Sequence, residues 1–147
     1  MIIALGADHK GLKLKEKIKS YLQSEGYQVI DFGTHSDTPV DYVDYARVVA
    51  LTVSRGEAEA GVLICWTGIG MSISSNKVKG IRSFVANDIF SARLAKEHNN
   101  TNVICFSGGM IGEDYALEIL KVWLSSSFMY GRHELRLCKI TDIEEGE

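Results

Sequence analysis

The sequence predicts an α/β fold, a five-stranded parallel sheet covered by helices on both faces, and three observations lead there. Short β-branched runs alternate with stretches of helical periodicity along the whole chain. The first run, Ile2 to Ala7, is almost wholly apolar, as a strand buried on both faces is. Glycines and polar residues collect just after the runs, where an open parallel sheet places its ligands. Strand, helix and strand in repeated alternation require parallel pairing with crossover helices on the two faces. No internal repeat, low-complexity segment or linker divides the chain, so residues 1–147 are expected to form one domain.

The elements follow in order. From Leu14, the apolar positions Leu14, Ile18, Tyr21 and Leu22 share one helical face, and Gly26 stands where a C-cap glycine belongs. Gln28 to Phe32 reads as the second strand, ending in the Gly33-Thr34 loop. Pro39, Asp41 and Asp44 precede a helical period carried by Tyr42, Ala46, Val49, Ala50 and Val53, closed by Gly56. Gly61 to Cys65 is the third strand, followed by Trp66-Thr67-Gly68-Ile69-Gly70 and a helix from near Met71. Arg82 to Ala86 is the fourth strand, and Asp88 is suited to cap a helix running to about His98. Val103 to Phe106 is the fifth, leading through Ser107-Gly108-Gly109 to a helix over about Glu113 to Ser125. The charged tail from Gly131 ends in a short amphipathic helix carrying Leu137, Ile140 and Ile143.

Bulk properties narrow the function classes. A chain of 147 residues has the length of one domain and buries roughly two-thirds of its unfolded surface. Its net charge of -3 argues against nucleic-acid binding, which needs a basic field. No apolar run approaches the roughly 20 residues of a membrane span, and the N-terminus reads directly into a strand; a cytoplasmic protein is expected. Cys65, Cys105 and Cys138 are odd in number and far apart, which fits a reducing compartment and no disulfide framework. His9, His35, His98 and His133 form no helical ligand pair, so no metal site is expected.

Cys65 to Gly70 is the segment richest in chemistry. Its glycines let the backbone approach a ligand, and the following helix aims N–H groups at an anion. The third glycine of a dinucleotide fingerprint and the lysine of a P-loop are both missing. A thiol at such a place can have its pKa lowered from about 8.5 towards neutrality, which makes thiolate available. The alternative is that Cys65 is a small buried hydrophobe. Asp8-His9 reads either as a site pair or as a loop cap beside a solvated imidazole. His98-Asn99 falls at a helix C-terminus, where a histidine also complements the dipole. Arg132 and Arg136, four apart on one helical face, suit a phosphate but equally a solvated tail.

Taken together, the chain resembles the ribose-5-phosphate isomerase B family, which includes galactose- and allose-6-phosphate isomerases. The resemblance rests on Gly6-Ala7-Asp8-His9, Asp31-Phe32-Gly33-Thr34, Val40-Asp41-Tyr42-x-Asp44-Tyr45 and Cys65-x-Thr67-Gly68-Ile69-Gly70-Met71-Ser72-Ile73. Asn76-Lys77-Val78-x-Gly80-Ile81-Arg82, Glu97-His98-Asn99 and Gly131-Arg132-His133-x-x-Arg136 complete it. It implies a Rossmann-like three-layer domain, a homodimer or tetramer, a sugar-phosphate substrate, and no cofactor. It also implies roles. Cys65 is the base that moves a proton between C2 and C1, and His98 opens the furanose ring. Thr67 and the backbone of Trp66, Gly68, Ile69 and Gly70 surround the enediolate. Asp8, His9 and Asn99 bind substrate, and Arg132 and Arg136 grip the phosphate.

Such residue types suit the chemistry. A proton α to a carbonyl is weakly acidic, so the developing oxyanion needs preorganised donors, each worth roughly 3 kcal/mol. A thiolate with a pKa near ambient pH both accepts and redelivers the proton. Two departures from the family pattern bear on the pocket: Trp66 stands where glycine is usual, and Gly109 where many members carry a phosphate-binding arginine; Val43 also replaces a common proline. Gly109 is accordingly expected to weaken phosphate binding or to make room for a longer sugar, unless Trp66 already fills the space. The expected activity is interconversion of ribose 5-phosphate and ribulose 5-phosphate. The alternatives are the same chemistry on allose or galactose 6-phosphate, and a non-catalytic sugar-phosphate-binding subunit.

Overall fold

A computed structural model describes residues 1–147 and shows five strands and six helices. They are β1 (Ile2–Ala7), α1 (Leu12–Ser24), β2 (Gln28–Asp31), α2 (Tyr42–Ser54), β3 (Ala60–Cys65) and α3 (Ile69–Ser75). Then come β4 (Ser83–Val85), α4 (Ile89–Glu97), β5 (Val103–Ser107), α5 (Glu113–Ser125) and α6 (Arg132–Glu144). All pairings are parallel, in the order β2-β1-β3-β5-β4. The direction of winding changes between β1 and β3, so their carboxyl ends diverge into a crevice.

Each sheet face supports its own core. On one, Ile3, Leu5, Val62, Ile64, Ile104 and Phe106 meet the buried positions of α1, α4 and α5. On the other, Ala4, Leu63, Cys65, Val103 and Cys105 meet α2 and Met71 of α3. β1, β3 and β5 sit inside the sheet and their strand residues are buried almost without exception, as the near-continuous apolar runs require.

Most boundaries match the sequence patterns, and the departures have local causes. Asp41 and Asp88 cap α2 and α4, their carboxylates accepting the N–H groups of Val43 and Ser91 at 2.9 and 2.7 Å. Gly26 follows α1 with φ +86°, as a C-cap glycine does. α3 starts two residues before Met71, at Ile69, because Gly68 takes the left-handed conformation (φ +79°) and turns the chain early. In α1, Tyr21 is only partly buried, whereas Lys15 is completely so. The ammonium of Lys15 lies 2.8 Å from Asp31 Oδ2, and Lys19 reaches the same oxygen at 2.9 Å. Burial alone would raise the Asp31 pKa, but the hydrogen bonds from Lys15, Lys19 and the Gly33 N–H outweigh it and hold the carboxyl below its usual range. Asp31 is therefore a structural anchor for the β2 end. Glu16, Asp31 and His35 converge within 4.8 Å, a spacing a metal ion could bridge, but the two lysines already neutralise this cluster. No helix is long and apolar enough to cross a membrane.

The tail does form the expected helix, α6, yet of Leu137, Ile140 and Ile143 this chain partly buries only Leu137. Ile140 and Ile143 are exposed, and His133 is the buried residue of the helix.

Candidate active site

The carboxyl ends of β1 and β3 build one wall of the crevice. After β1, Asp8 is buried, and its carboxylate accepts the N–H groups of Lys10 (2.9 Å) and Gly11 (3.1 Å), which locks the turn into α1. His9 Nδ1 accepts the Val40 N–H at 3.1 Å, so in the neutral ring the proton resides on Nε2, available to a ligand. After β3, Cys65 Sγ accepts the N–H of Gly68 at 3.2 Å. This contact depends on the positive φ of Gly68, where any side chain would be strained and would press on the Phe106 carbonyl. Thr67 Oγ1 accepts the Ile69 N–H at 3.2 Å, fixing the hydroxyl at the mouth of the same loop.

The β5 end clamps this loop from beside it. Gly108 N–H donates to the Cys65 carbonyl at 2.7 Å and Gly109 N–H to that of Trp66 at 3.2 Å. Ser107 Oγ donates to the Trp66 carbonyl at 2.6 Å and accepts the N–H of Met110 at 2.8 Å. The result is a cavity of about 380 Å³ lined by Asp8, Tyr42, Cys65, Trp66, Thr67, Ile69, Gly70 and Ile73. Tyr42 and Ile73 were not among the site residues legible in the sequence. The signal for Tyr42 was Gly70: a β-carbon there would fall 2.5 Å from the tyrosine ring, so the glycine exists to let that ring lie against the loop.

The three cysteines differ sharply. Cys105 is completely buried, which pushes its thiol up to about 12 and keeps it protonated; Cys138 is exposed on α6. Only Cys65 combines a cavity with a backbone donor aimed at its sulfur.

Gly109 is covered by Trp66. Its missing side chain does not leave space open, because a β-carbon would lie 2.5 Å from three ring carbons of Trp66. The indole occupies the room expected for a longer sugar. The two departures from the family pattern are thus one packed pair.

The remaining candidates are elsewhere. His98 caps the C-terminus of α4, and Asn99 lines a separate cavity with Arg82, Phe84, Ile140 and Ile143. The helix runs back from the carboxyl end of β4 to the start of β5, so both residues lie at the opposite edge of the sheet from Cys65. At that edge the Gly61 N–H donates to the Asn102 carbonyl; Cys65 is at the other end of the strand, about 13 Å away at roughly 3.3 Å per residue. His98 stacks on His133 with ring centroids 4.1 Å apart and planes 11° from parallel. Burial, followed by the charges of His98, Arg132 and Arg136, holds the His133 pKa below the ordinary histidine value. Arg132, His133 and Arg136 enter on α6, whose start is tied to α4 by the Met129 N–H donating to the Glu97 carbonyl at 2.9 Å. One chain therefore carries two separate clusters: a thiol with backbone donors, and a histidine pair with two arginines.

Comparison with known proteins gives this arrangement its context. The sequence profile described as Ribose/Galactose Isomerase matches residues 3–140. Ribose-5-phosphate isomerase B of Escherichia coli is 45% identical over 143 residues, covering 97% of this chain and 96% of its own. The solved structure of Clostridium thermocellum ribose-5-phosphate isomerase B superposes with a TM-score of 0.98 at 44% identity, covering 99% of each chain. That of the Mycoplasma genitalium enzyme with bound ribulose-5-phosphate gives 0.95 at 34% identity, covering 99% of this chain and 97% of its own. With the family profile matched over residues 3–140, and relatives of 44–45% identity aligned over nearly the whole of both chains, the chain belongs to the ribose/galactose isomerase family.

Proposed function

We propose that the protein is an aldose–ketose isomerase that interconverts ribose 5-phosphate and ribulose 5-phosphate through a cis-enediolate. The observation that carries this reading is the thiol of Cys65, held at a cavity wall by the Gly68 N–H and bordered by Asp8 and Thr67. The Cys65 thiolate takes the proton from C2 of the open-chain aldose and, as a thiol, returns it to C1. Between these steps the charge on the enediolate oxygens is met by the Trp66, Thr67 and Gly70 N–H groups, which have no acceptor within the chain, and by the Thr67 hydroxyl. A proton passes from O2 to O1, and the ketose is complete.

Ring opening requires a group that withdraws the anomeric hydroxyl proton and delivers one to the ring oxygen, and His98 is the candidate. Its distance from Cys65 along the sheet supports a site shared between two copies of the chain. A two-fold axis that sets the α4–α6 end of one copy against the β1–β3 end of the other gives two equivalent sites. Each would join Asp8, His9 and Cys65 of one copy to His98, Asn99, Arg132 and Arg136 of the second. Exposed Ile69, Ile73 and Phe90 around the cavity rim and the start of α4 are apolar surface suited to such contact.

The deciding experiment is a panel of pentose and hexose phosphates offered to the purified protein. Ribose 5-phosphate and ribulose 5-phosphate are expected to equilibrate with the highest kcat/KM. A preference for allose or galactose 6-phosphate would move the substrate while keeping the chemistry, and no turnover of any of them would leave only a binding subunit.

A further inference from the structure

The Cys65 cavity lacks a cation of its own, although its proposed substrate carries a phosphate. Its lining includes the Asp8 carboxylate and no lysine or arginine. Position 109 cannot supply one, since a β-carbon there would lie 2.5 Å from the Trp66 ring. One cation does reach the wall of this cavity: the Lys10 ammonium lies 5.6 Å from the centroid of the Trp66 ring. Lys10 forms no ion pair and its side chain donates no hydrogen bond within the chain, whereas Lys13, Lys15, Lys17 and Lys19 on the adjoining helix all have carboxylate partners.

The main chain of Lys10 is held firmly. Its N–H donates to Asp8, and its carbonyl packs so closely on Gly108 that a β-carbon there would come within 2.6 Å. The loops after β1, β3 and β5 thus fix the base of Lys10 beside the half-exposed indole, which is 54% accessible. The indole face attracts the ammonium and leaves its N–H groups free.

We infer that Lys10, carried on the Trp66–Gly109 wall, is the phosphate-recognition residue that the Cys65-bearing chain itself contributes. A flexible ammonium acts as a point charge for a phosphate, without the fixed fork of a guanidinium. Because the phosphate is remote from C1 and C2, this charge strengthens binding in ground and transition states alike, so its loss appears in KM. The inference rests on the sugar-phosphate reading of the site, but phosphate binding can be measured apart from turnover.

The test uses the full chain and its Lys10→Met and Lys10→Arg variants at fixed ionic strength. Calorimetry with inorganic phosphate is expected to show binding to the wild type weakened about ten-fold in Lys10→Met and largely restored in Lys10→Arg. KM for ribose 5-phosphate should rise by a similar factor in Lys10→Met, with kcat within about two-fold of wild type. Equal phosphate affinity in wild type and Lys10→Met, or no phosphate binding by the wild type, overturns the inference. Phosphate binding that depends on Lys10, in a protein that turns over no sugar phosphate, upholds it and rejects the proposed activity instead.

Discussion

The Cys65 loop and the His98–Arg136 cluster carry comparable chemical potential, yet they are built in opposite ways. Around Cys65 the main chain is braced at four points: Gly68 with the sulfur, Ile69 with Thr67, Gly108 and Gly109 with the carbonyls of Cys65 and Trp66. Three strand ends and two helices converge there, so geometry is set within one chain. The second cluster sits on α4 and α6, where one buried imidazole stacks under another and two arginines extend from an exposed helix. Arg132 and Arg136 form no ion pair. The first region is braced within one chain; the second is a set of side chains without a counterpart in its own chain. The difference teaches what the proposed pairing of two copies would add: a set of cations and imidazoles brought to a loop that is already rigid.

The sharpest break in this comparison is Cys65→Ala. Removing the proposed base should lower kcat by about 10³–10⁴-fold while the protein still folds and binds inorganic phosphate. Near-normal turnover would place the base elsewhere. An independent check is alkylation on a Cys138→Ser background, with substrate protecting; Cys105, held as a thiol by burial, should remain unlabelled at neutral pH.

The division into two half-sites can be tested directly. Inactive Cys65→Ala and His98→Ala proteins, unfolded and refolded together, should regain about a quarter of wild-type activity. In a random mixture about half the dimers are mixed, and each of those has one intact site of two. If mixed dimers form and stay inactive, Cys65 and His98 must act within one chain.

A smaller effect is expected at the arginines. A hydrogen bond to a charged group is worth about 1.5–3 kcal/mol, so Arg136→Ala should raise KM for ribose 5-phosphate by roughly 10–150-fold with a lesser change in kcat. An unchanged KM would show α6 to be remote from the phosphate.

The smallest expected effect is on stability against pH. His133 has its folded pKa depressed below the unfolded value of about 6.5, chiefly by burial. Its neutral form suits the fold, so stability is full above about 6.5 and is lost as pH falls through that value towards the lowered one. His133→Asn should flatten the part of the melting-temperature profile between neutral and mildly acidic pH. An unaltered slope would mean that His133 does not govern that window.

Much of the fold could be read from the residues alone because its signals are local. An apolar run such as Val62-Leu63-Ile64 needs cover on both faces wherever it lies, and Asp88 caps α4 through a bond to Ser91 three residues away. The loop over 65–70 is legible for the same reason, since a left-handed glycine and a nearby sulfur form a contact within four consecutive residues. Lys15 was not legible: nothing in its helix announces that Asp31, on a different strand, would draw it entirely out of water. The place of Tyr42 against Gly70 was hidden likewise, being a contact between segments distant in the chain, whereas the filling of the Gly109 space by Trp66 was one of the sequence's open alternatives.

What the sequence determined by itself was therefore the alternation of elements, the sheet's parallel sense and the chemical identity of each candidate residue. Only the tertiary structure decided which candidates share a wall. Strand order sent Asp8 and Cys65 to the switch point and left His98 at the opposite sheet end, because a crossover helix returns its C-terminus to the start of the next strand. It also filled the space at Gly109 with an indole and brought Lys10 beside that ring, a consequence of three loops meeting that no single stretch of chain encodes.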